Sequence, residues 1–282
     1  MFQRFRQTAA SNASVIGAIV VLGVLYLGQG WVADWLTDDE IIDEDDIVAP
    51  LAEVVTETET ESCDPWILTF ADDFDGEFID PEAWILFASP GANGFGTRVP
   101  DAVTVDDGNL VLTGQMLDGE LVIGGLAGNH QQTFGRVEVR VRTELDPSET
   151  LDGIVGTWPA GNDPDGGAIT FYQAPATAER EPFYSYILHT DDTREEVIHL
   201  ANAQDWQEMA IEWSDERVSV FRDRNLIGST VNTEAVADVP HVVTIQFHAS
   251  QSEMDVAADS VVRMFVDWVR FYQRNENPGP SC

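Results

Sequence analysis

The chain has 282 residues, of which 50 are acidic, 14 basic and 44% hydrophobic, giving a formal net charge of −36. That length and composition suit one large globular domain or two small ones. So negative a field repels nucleic acid and anionic lipid surfaces, which argues against both as partners. All 14 basic residues are arginine, and acidity of this degree suits a protein kept soluble in high salt, where counterions screen self-repulsion. Codon bias would account for the missing lysine equally well.

The chain opens with a short basic segment, residues 1–13, carrying Arg4 and Arg6. The run SVIGAIVVLGVLYLGQGWVA then extends from Ser14 to Ala33 without a charge. Twenty residues of helix reach about 30 Å, the thickness of bilayer hydrocarbon. Basic residues precede the run and acids follow it, so the positive-inside rule places the N-terminus in the cytoplasm and the remainder outside. Trp31 and Trp35 fall at the outer interface. A cleaved signal peptide is the competing reading, but Trp31-Val32-Ala33 puts a bulky residue where signal peptidase takes a small one. The expectation is an uncleaved, single-pass signal anchor over residues 14–36 and a location at the cell membrane.

Residues 37–62 hold eleven acids and no base, ending in TETETES. A segment this polar and self-repelling reads as an extended linker without a core. The only two cysteines, Cys63 and Cys282, bracket everything that follows. In an extracytoplasmic compartment such a pair can oxidise, and a bridge closing a loop this long contributes on the order of 5 kcal/mol in the chain-entropy account. The bridge requires the first and last strands of the domain to be neighbours.

From residue 63 onward the hydrophobic period is two. GRVEVRVRTEL places Val137, Val139 and Val141 on one face and Arg136, Glu138, Arg140 and Arg142 on the other, the pattern of a half-buried strand. VTVDDGNLVLT, MAIEWSDERVSVFRD, VVTIQFHAS and VVRMFVDWVRFYQ read the same way, with Asp107-Gly108 and Ser214-Asp215 as turns. Many short strands and no convincing helix imply an all-β sandwich or jelly roll of two antiparallel sheets.

Six blocks in order carry a more specific likeness: FADDFDGEFIDPEAW, DAVTVDDGNLVLT, FGRVEVRVR, GTWPA followed by GGAITF, DWQEMAIEWSDERVSVF and FVDWVRFYQ. The series resembles glycoside hydrolase family 16, the laminarinases, lichenases and agarases, over Trp66 to Gln273. The resemblance implies a concanavalin-like jelly roll for residues 63–282 and a polysaccharide, of the β-glucan or galactan class, as ligand.

Members of that family hydrolyse with retention, using a nucleophilic Glu, an assisting Asp and an acid/base Glu on one strand as E-x-D-x-E or E-x-D-x-x-E. Residues i and i+2 of a strand share a face, and a bulge carries the last carboxylate from i+4 to i+5. A retaining pair must stand about 5–5.5 Å apart. In this chain the resemblance puts Ala168 at the nucleophile place and Thr170 at the assisting place. Gln173 takes the acid/base place if the strand is bulged, and Tyr172 if it is not. None is a carboxylate: alanine has no nucleophile, and glutamine hydrogen-bonds a glycosidic oxygen without protonating it. Asp163 and Asp165 upstream, or Glu179 and Glu181 downstream, are the candidates for a displaced pair.

The resemblance also implies a sugar-stacking role for Trp158, with Arg98, Tyr172 and His189 on the rim of the cleft. Packing within the sandwich is the alternative for Trp158. Family members hold calcium with an Asp of the last strand and a carbonyl near the first strands, which here are Asp267 and Gly108; no other cofactor is implied. The remaining histidines show no metal-ligand spacing.

The expectation is therefore a membrane-anchored, extracytoplasmic, catalytically degenerate domain that binds a polysaccharide. Its 38 acids against 12 arginines from Cys63 onward make a neutral glycan the better ligand. An active endo-β-glycosidase with displaced carboxylates, and a structural or protein-binding subunit whose cleft is filled by Phe171 and Tyr172, are the alternatives.

Overall fold

A computed structural model describes residues 65–91, 94–146, 148–162, 166–175, 201–231, 238–249 and 260–276, and the backbone of 183–188 and 194–199. The expected anchor, the acidic linker, Cys63, Cys282, His189 and the displaced-acid candidates Asp163, Asp165, Glu179 and Glu181 lie outside the described residues.

The described chain is built of strands: β1 (Trp66–Asp72), β2 (Trp84–Leu86), β3 (Ser89–Pro90), β4 (Thr97–Arg98), β5 (Val103–Asp106), β6 (Asn109–Leu117), β7 (Glu120–Ile123), β8 (Gly125–Gly128) and β9 (Gly135–Thr143). The second half contributes β10 (Leu151–Pro159), β11 (Ala168–Ala174), β12 (Phe183–Leu188), β13 (Arg194–His199), β14 (Gln207–Trp213), β15 (Val218–Arg222), β16 (Asn225–Thr230), β17 (His241–Ala249) and β18 (Val261–Arg274). One turn of 3-10 helix, Pro100–Ala102, precedes β5.

These strands form two sheets. The larger has eleven strands in the order β16-β15-β14-β9-β18-β6-β7-β4-β3, with β1 beside β18 and β5 beside β6. The smaller has seven, in the order β13-β12-β11-β10-β17-β8-β2. The expected sandwich is what forms, with one departure from all-antiparallel pairing: the two-residue β4 runs parallel to β7.

The period-two pattern does what it predicts in β9. Gly135, Val137, Val139, Val141 and Thr143 point inward and are buried, while the residues between them are half-exposed. A single hydrophobic cluster joins Val137, Val139 and Phe271 of the large sheet to Val155, Ile245 and Phe247 of the small one. On the opposite side of the large sheet Arg136 pairs with Glu138 and Glu212, and Arg140 with Asp267. Asp107 and Gly108, at φ 50° and 71°, close the β5–β6 hairpin. Two positive φ values in succession make a type I′ turn, which explains the glycine.

The first and last strands are indeed neighbours: Trp66 stands opposite Arg274, and the Asn275 N–H donates to the Pro65 carbonyl at 2.8 Å.

Candidate functional site

The strand that carries Ala168, Thr170 and Gln173 is β11. Opposite it on β10, Val155 faces Tyr172 and Gly156 faces Thr170, so Phe171 is an extra residue without a counterpart. That is a β-bulge, and it shifts the alternation by one. Thr170 and Gln173, both half-buried, come to one face, the face turned away from the core, while Ile169, Phe171, Tyr172 and Ala174 are fully buried. The bulged register therefore holds, and Gln173 occupies the last of the three places.

The bulge corrects two expectations. Tyr172 is fully buried and its hydroxyl shares a 2.8 Å hydrogen bond with the Thr143 hydroxyl, so it faces the core rather than a cleft rim. Phe171 and Tyr172 both belong to the core cluster, so neither fills the outer face as the structural-subunit reading required.

Cross-strand register assembles the rest of this face. Ile154 of β10 lies between Gln173 of β11 and Gln246 of β17, and Gly156 lies between Thr170 and Thr244. A Cβ on Gly156 would come 2.8 Å from the Ile169 carbonyl oxygen and 3.2 Å from Thr170 Cα. Only glycine lets β10 approach the bulged backbone here. Trp158, half-buried at the end of β10, donates its indole N–H to Asn162 Oδ1 at 3.0 Å.

Next to Gln173 stands a carboxylate that the sequence reading did not single out. Gln173 Nε2 donates to Asp152 Oδ2 at 3.2 Å, and His248 Nδ1 lies 3.9 Å from the same oxygen. Asp152 and His248 are cross-strand partners on β10 and β17. The Asp152 side chain is 10% exposed. Burial pushes the His248 imidazole below its ordinary value, Asp152 opposes that shift and Arg98 adds to it.

Arg98 is placed differently from the expected rim position. It is buried, and its guanidinium donates to the Pro90 carbonyl through Nε (3.1 Å) and Nη2 (2.9 Å) and to Gln246 Oε1 through Nη1 (2.9 Å). It also lies 4.8 Å from the centroid of the Phe87 ring. Burial lowers its pKa from the ordinary value, though an arginine stays charged in water-accessible pH ranges. Arg98 thus holds another side chain of the face in place.

The calcium expectation meets an obstacle. The Asp267 carboxylate is engaged by Arg140, and among the described residues no three His, Cys, Asp or Glu side chains gather as a metal site. Calcium takes six or more oxygens, and a carboxylate already neutralised by a guanidinium does not fit that set. Gly108 sits in its hairpin turn for the conformational reason given above.

Asp152, Gln246 and His248 carried no signal of their own in the sequence. They are brought together by strand register, which a single sequence does not display. The only hint was that Asp152 precedes Trp158 by six positions, the spacing of two residues on one face of a strand.

The sequence matches no protein-family model and no curated protein. The fold, in contrast, matches solved structures over most of its length. The laminarinase catalytic domain of Thermotoga maritima MSB8 superimposes with a TM-score of 0.63 at 18% identity, covering 76% of this chain and 100% of that one. SCLam, a non-specific endo-β-1,3(4)-glucanase from family GH16, gives 0.63 at 19% identity, over 75% and 92%. The laminarinase of Rhodothermus marinus gives 0.62 at 19%, over 75% and 98%. The chain has a glycoside hydrolase family 16-like fold.

Proposed function

We propose that this chain is a membrane-anchored, extracytoplasmic protein that binds a neutral polysaccharide, of the β-glucan or galactan class, on the outer face of its seven-stranded sheet without hydrolysing it. The observation that carries the proposal is the strand β11, which presents Ala168, Thr170 and Gln173 on one face across its bulge. The three places that the family resemblance marks on this strand hold no nucleophile and no proton donor. Retaining hydrolysis needs two carboxyl groups about 5–5.5 Å apart. Among the described residues beside Gln173 the carboxylate is Asp152, and its Oδ2 is already bonded to Gln173.

The ligand class is supported by the fold, by the half-buried Trp158 as a stacking surface, and by the charge of the domain, which disfavours an anionic glycan. Anchoring rests on the uncharged run from Ser14 to Ala33 and on the charges flanking it. A Cys63–Cys282 bridge belongs to the same proposal, since the strands nearest the two cysteines are paired.

The test is to incubate the full-length protein in detergent with laminarin, lichenan, agarose and a uronate-rich polysaccharide. Retention of a neutral glycan without release of reducing ends is expected. Sustained release of reducing ends would overturn the non-hydrolytic reading, and failure to bind any of the four would overturn the glycan reading.

A further inference from the structure

Two glutamines lie in one cross-strand row, Gln173 on β11 and Gln246 on β17, with Ile154 of β10 between them. Adjacent strands are about 4.8 Å apart, so the two backbones stand about 10 Å from each other, with an apolar side chain at the midpoint.

Each amide is held by a charged side chain, and the two charges are opposite. Asp152 only accepts hydrogen bonds at neutral pH, so its contact with Gln173 at 3.2 Å is made by the amide N–H. Arg98 only donates, so its contact with Gln246 at 2.9 Å is made to the amide oxygen. The amide orientations follow from the chemistry of these partners. Among the described residues Gln173 Oε1 and Gln246 Nε2 have no hydrogen-bond partner, and each is the other end of an amide whose first end is fixed.

The anchoring charges are themselves tied down. Arg98 is bonded twice to the Pro90 carbonyl and packs on Phe87, and Asp152 has His248 at 3.9 Å. Gly125 leaves room for this arrangement, since a Cβ there would come 2.8 Å from Phe87 Cδ2 and 3.1 Å from Gln246 Cβ.

We propose that Gln173 Oε1 and Gln246 Nε2 form a fixed acceptor and donor pair astride Ile154 that selects the glycan. The ligand is a neutral hexose unit that offers a hydroxyl proton to Gln173, an oxygen lone pair to Gln246, and an apolar ring face to Ile154. Asp152 and Arg98 are positioning residues: they set the direction of the two amides and turn their charges into dipoles. A uronate or sulfate ester meets a carboxylate beside Gln173, while the buried Arg98 guanidinium is turned to Pro90 and Gln246, which take three of its five N–H donors. This selection rests on the glycan-binding reading given above.

Binding of laminarin to the full-length protein in detergent, and the side-chain amide resonances of Gln173 and Gln246, test the proposal together. Asp152→Asn and Gln246→Leu are each expected to weaken laminarin binding about tenfold, the loss of roughly one well-placed hydrogen bond. In the ligand-free protein Asp152→Asn moves the Gln173 amide resonances and leaves those of Gln246 in place. Added laminarin oligosaccharide moves the Gln246 N–H pair more than the Gln173 pair, because the Gln173 N–H stays with Asp152. A role of Asp152 in folding alone would not produce that asymmetry. If the wild-type protein binds laminarin and both variants bind it equally well, the amide pair is overturned and glycan binding stands. If Gln246→Leu alone keeps full affinity, or the two amide pairs shift equally, the pair is overturned as well. If the wild-type protein binds no glycan, the glycan reading and the pair fall together.

Discussion

Arg98 and Gln246 belong to different sheets, yet the Arg98 guanidinium donates to the Gln246 side-chain oxygen at 2.9 Å. The two-residue strand β4 of the large sheet thereby fixes a side chain on the outer face of the small one. Lysine cannot replace this guanidinium. A single ammonium on a flexible stem cannot span the Pro90 carbonyl and Gln246 together or stack on Phe87. Arg98→Lys is expected to lower stability by about 2 kcal/mol, one to two charge-assisted hydrogen bonds, measured by urea denaturation. A change within experimental scatter would show that the fork is not needed.

Gly156 is a second point where the face is intolerant. The atoms a Cβ would meet are backbone, the Ile169 carbonyl oxygen and Thr170 Cα, and backbone cannot rotate aside. Gly156→Ala should cost about 1–3 kcal/mol as an overpacked contact and should also reduce laminarin binding, since the bulge that presents Gln173 must move. Gly119, where a Cβ would meet nothing within 4 Å but φ is +87°, serves as a control at which binding is unaffected.

The pH dependence of stability follows from buried histidines. Burial lowers the His241 pKa below its ordinary value, against a smaller opposing effect of the Gly166 backbone. The unfolded chain thus binds a proton more readily than the folded one between the two pKa values. Stability from this group is full above the unfolded value of about 6.5 and falls as pH drops toward the folded value, by at most about 1.4 kcal/mol per pH unit. Carboxylate protonation in so acidic a chain relieves self-repulsion and runs the other way, at lower pH. The check is therefore a difference: urea midpoints of wild type and His241→Gln between pH 7.5 and 5.5. The wild type should lose more stability on acidification than the variant, and equal losses would contradict the assignment.

Restoring the three carboxylates is the strongest test of what β11 lacks. A single catalytic carboxylate is worth several powers of ten in rate. If the non-hydrolytic reading holds, the triple variant Ala168→Glu, Thr170→Asp, Gln173→Glu should release reducing ends from laminarin where the wild type does not, while each single change should not. Absence of turnover in a folded triple variant would mean that more of the site than this strand has been lost.

How much of this could be read from the chain follows the range of each interaction. Strands with one apolar face announced themselves, since alternation in β9 or β17 is local and each strand buries one side. Block order extended that to the sandwich. The sequence leaves two registers open here, because Phe171 and Tyr172 are both aromatic and nothing local shows which one leaves the alternation. The Asp152–His248 and Arg98–Gln246 contacts were not visible at all: they depend on which strands become neighbours, and neither pair has a composition that marks it. The family resemblance implies a rim position for Arg98 and Tyr172, whereas the structure turns the Arg98 guanidinium to Pro90 and Gln246 and the Tyr172 hydroxyl to Thr143 in the core.

The bulge in β11 also sets a reading frame. Residues before Phe171 and after it are out of phase by one, and the strand's outward set is correct only because of that offset. Deleting Phe171 would return the strand to simple alternation with Thr170 and Gln173 still outward, whereas flattening the bulge with every residue kept would turn Gln173 inward and Ala174 outward. The outward positions of the strand can therefore change identity freely, while the number of residues between Thr170 and Gln173 and the bulge at Phe171 can change only together.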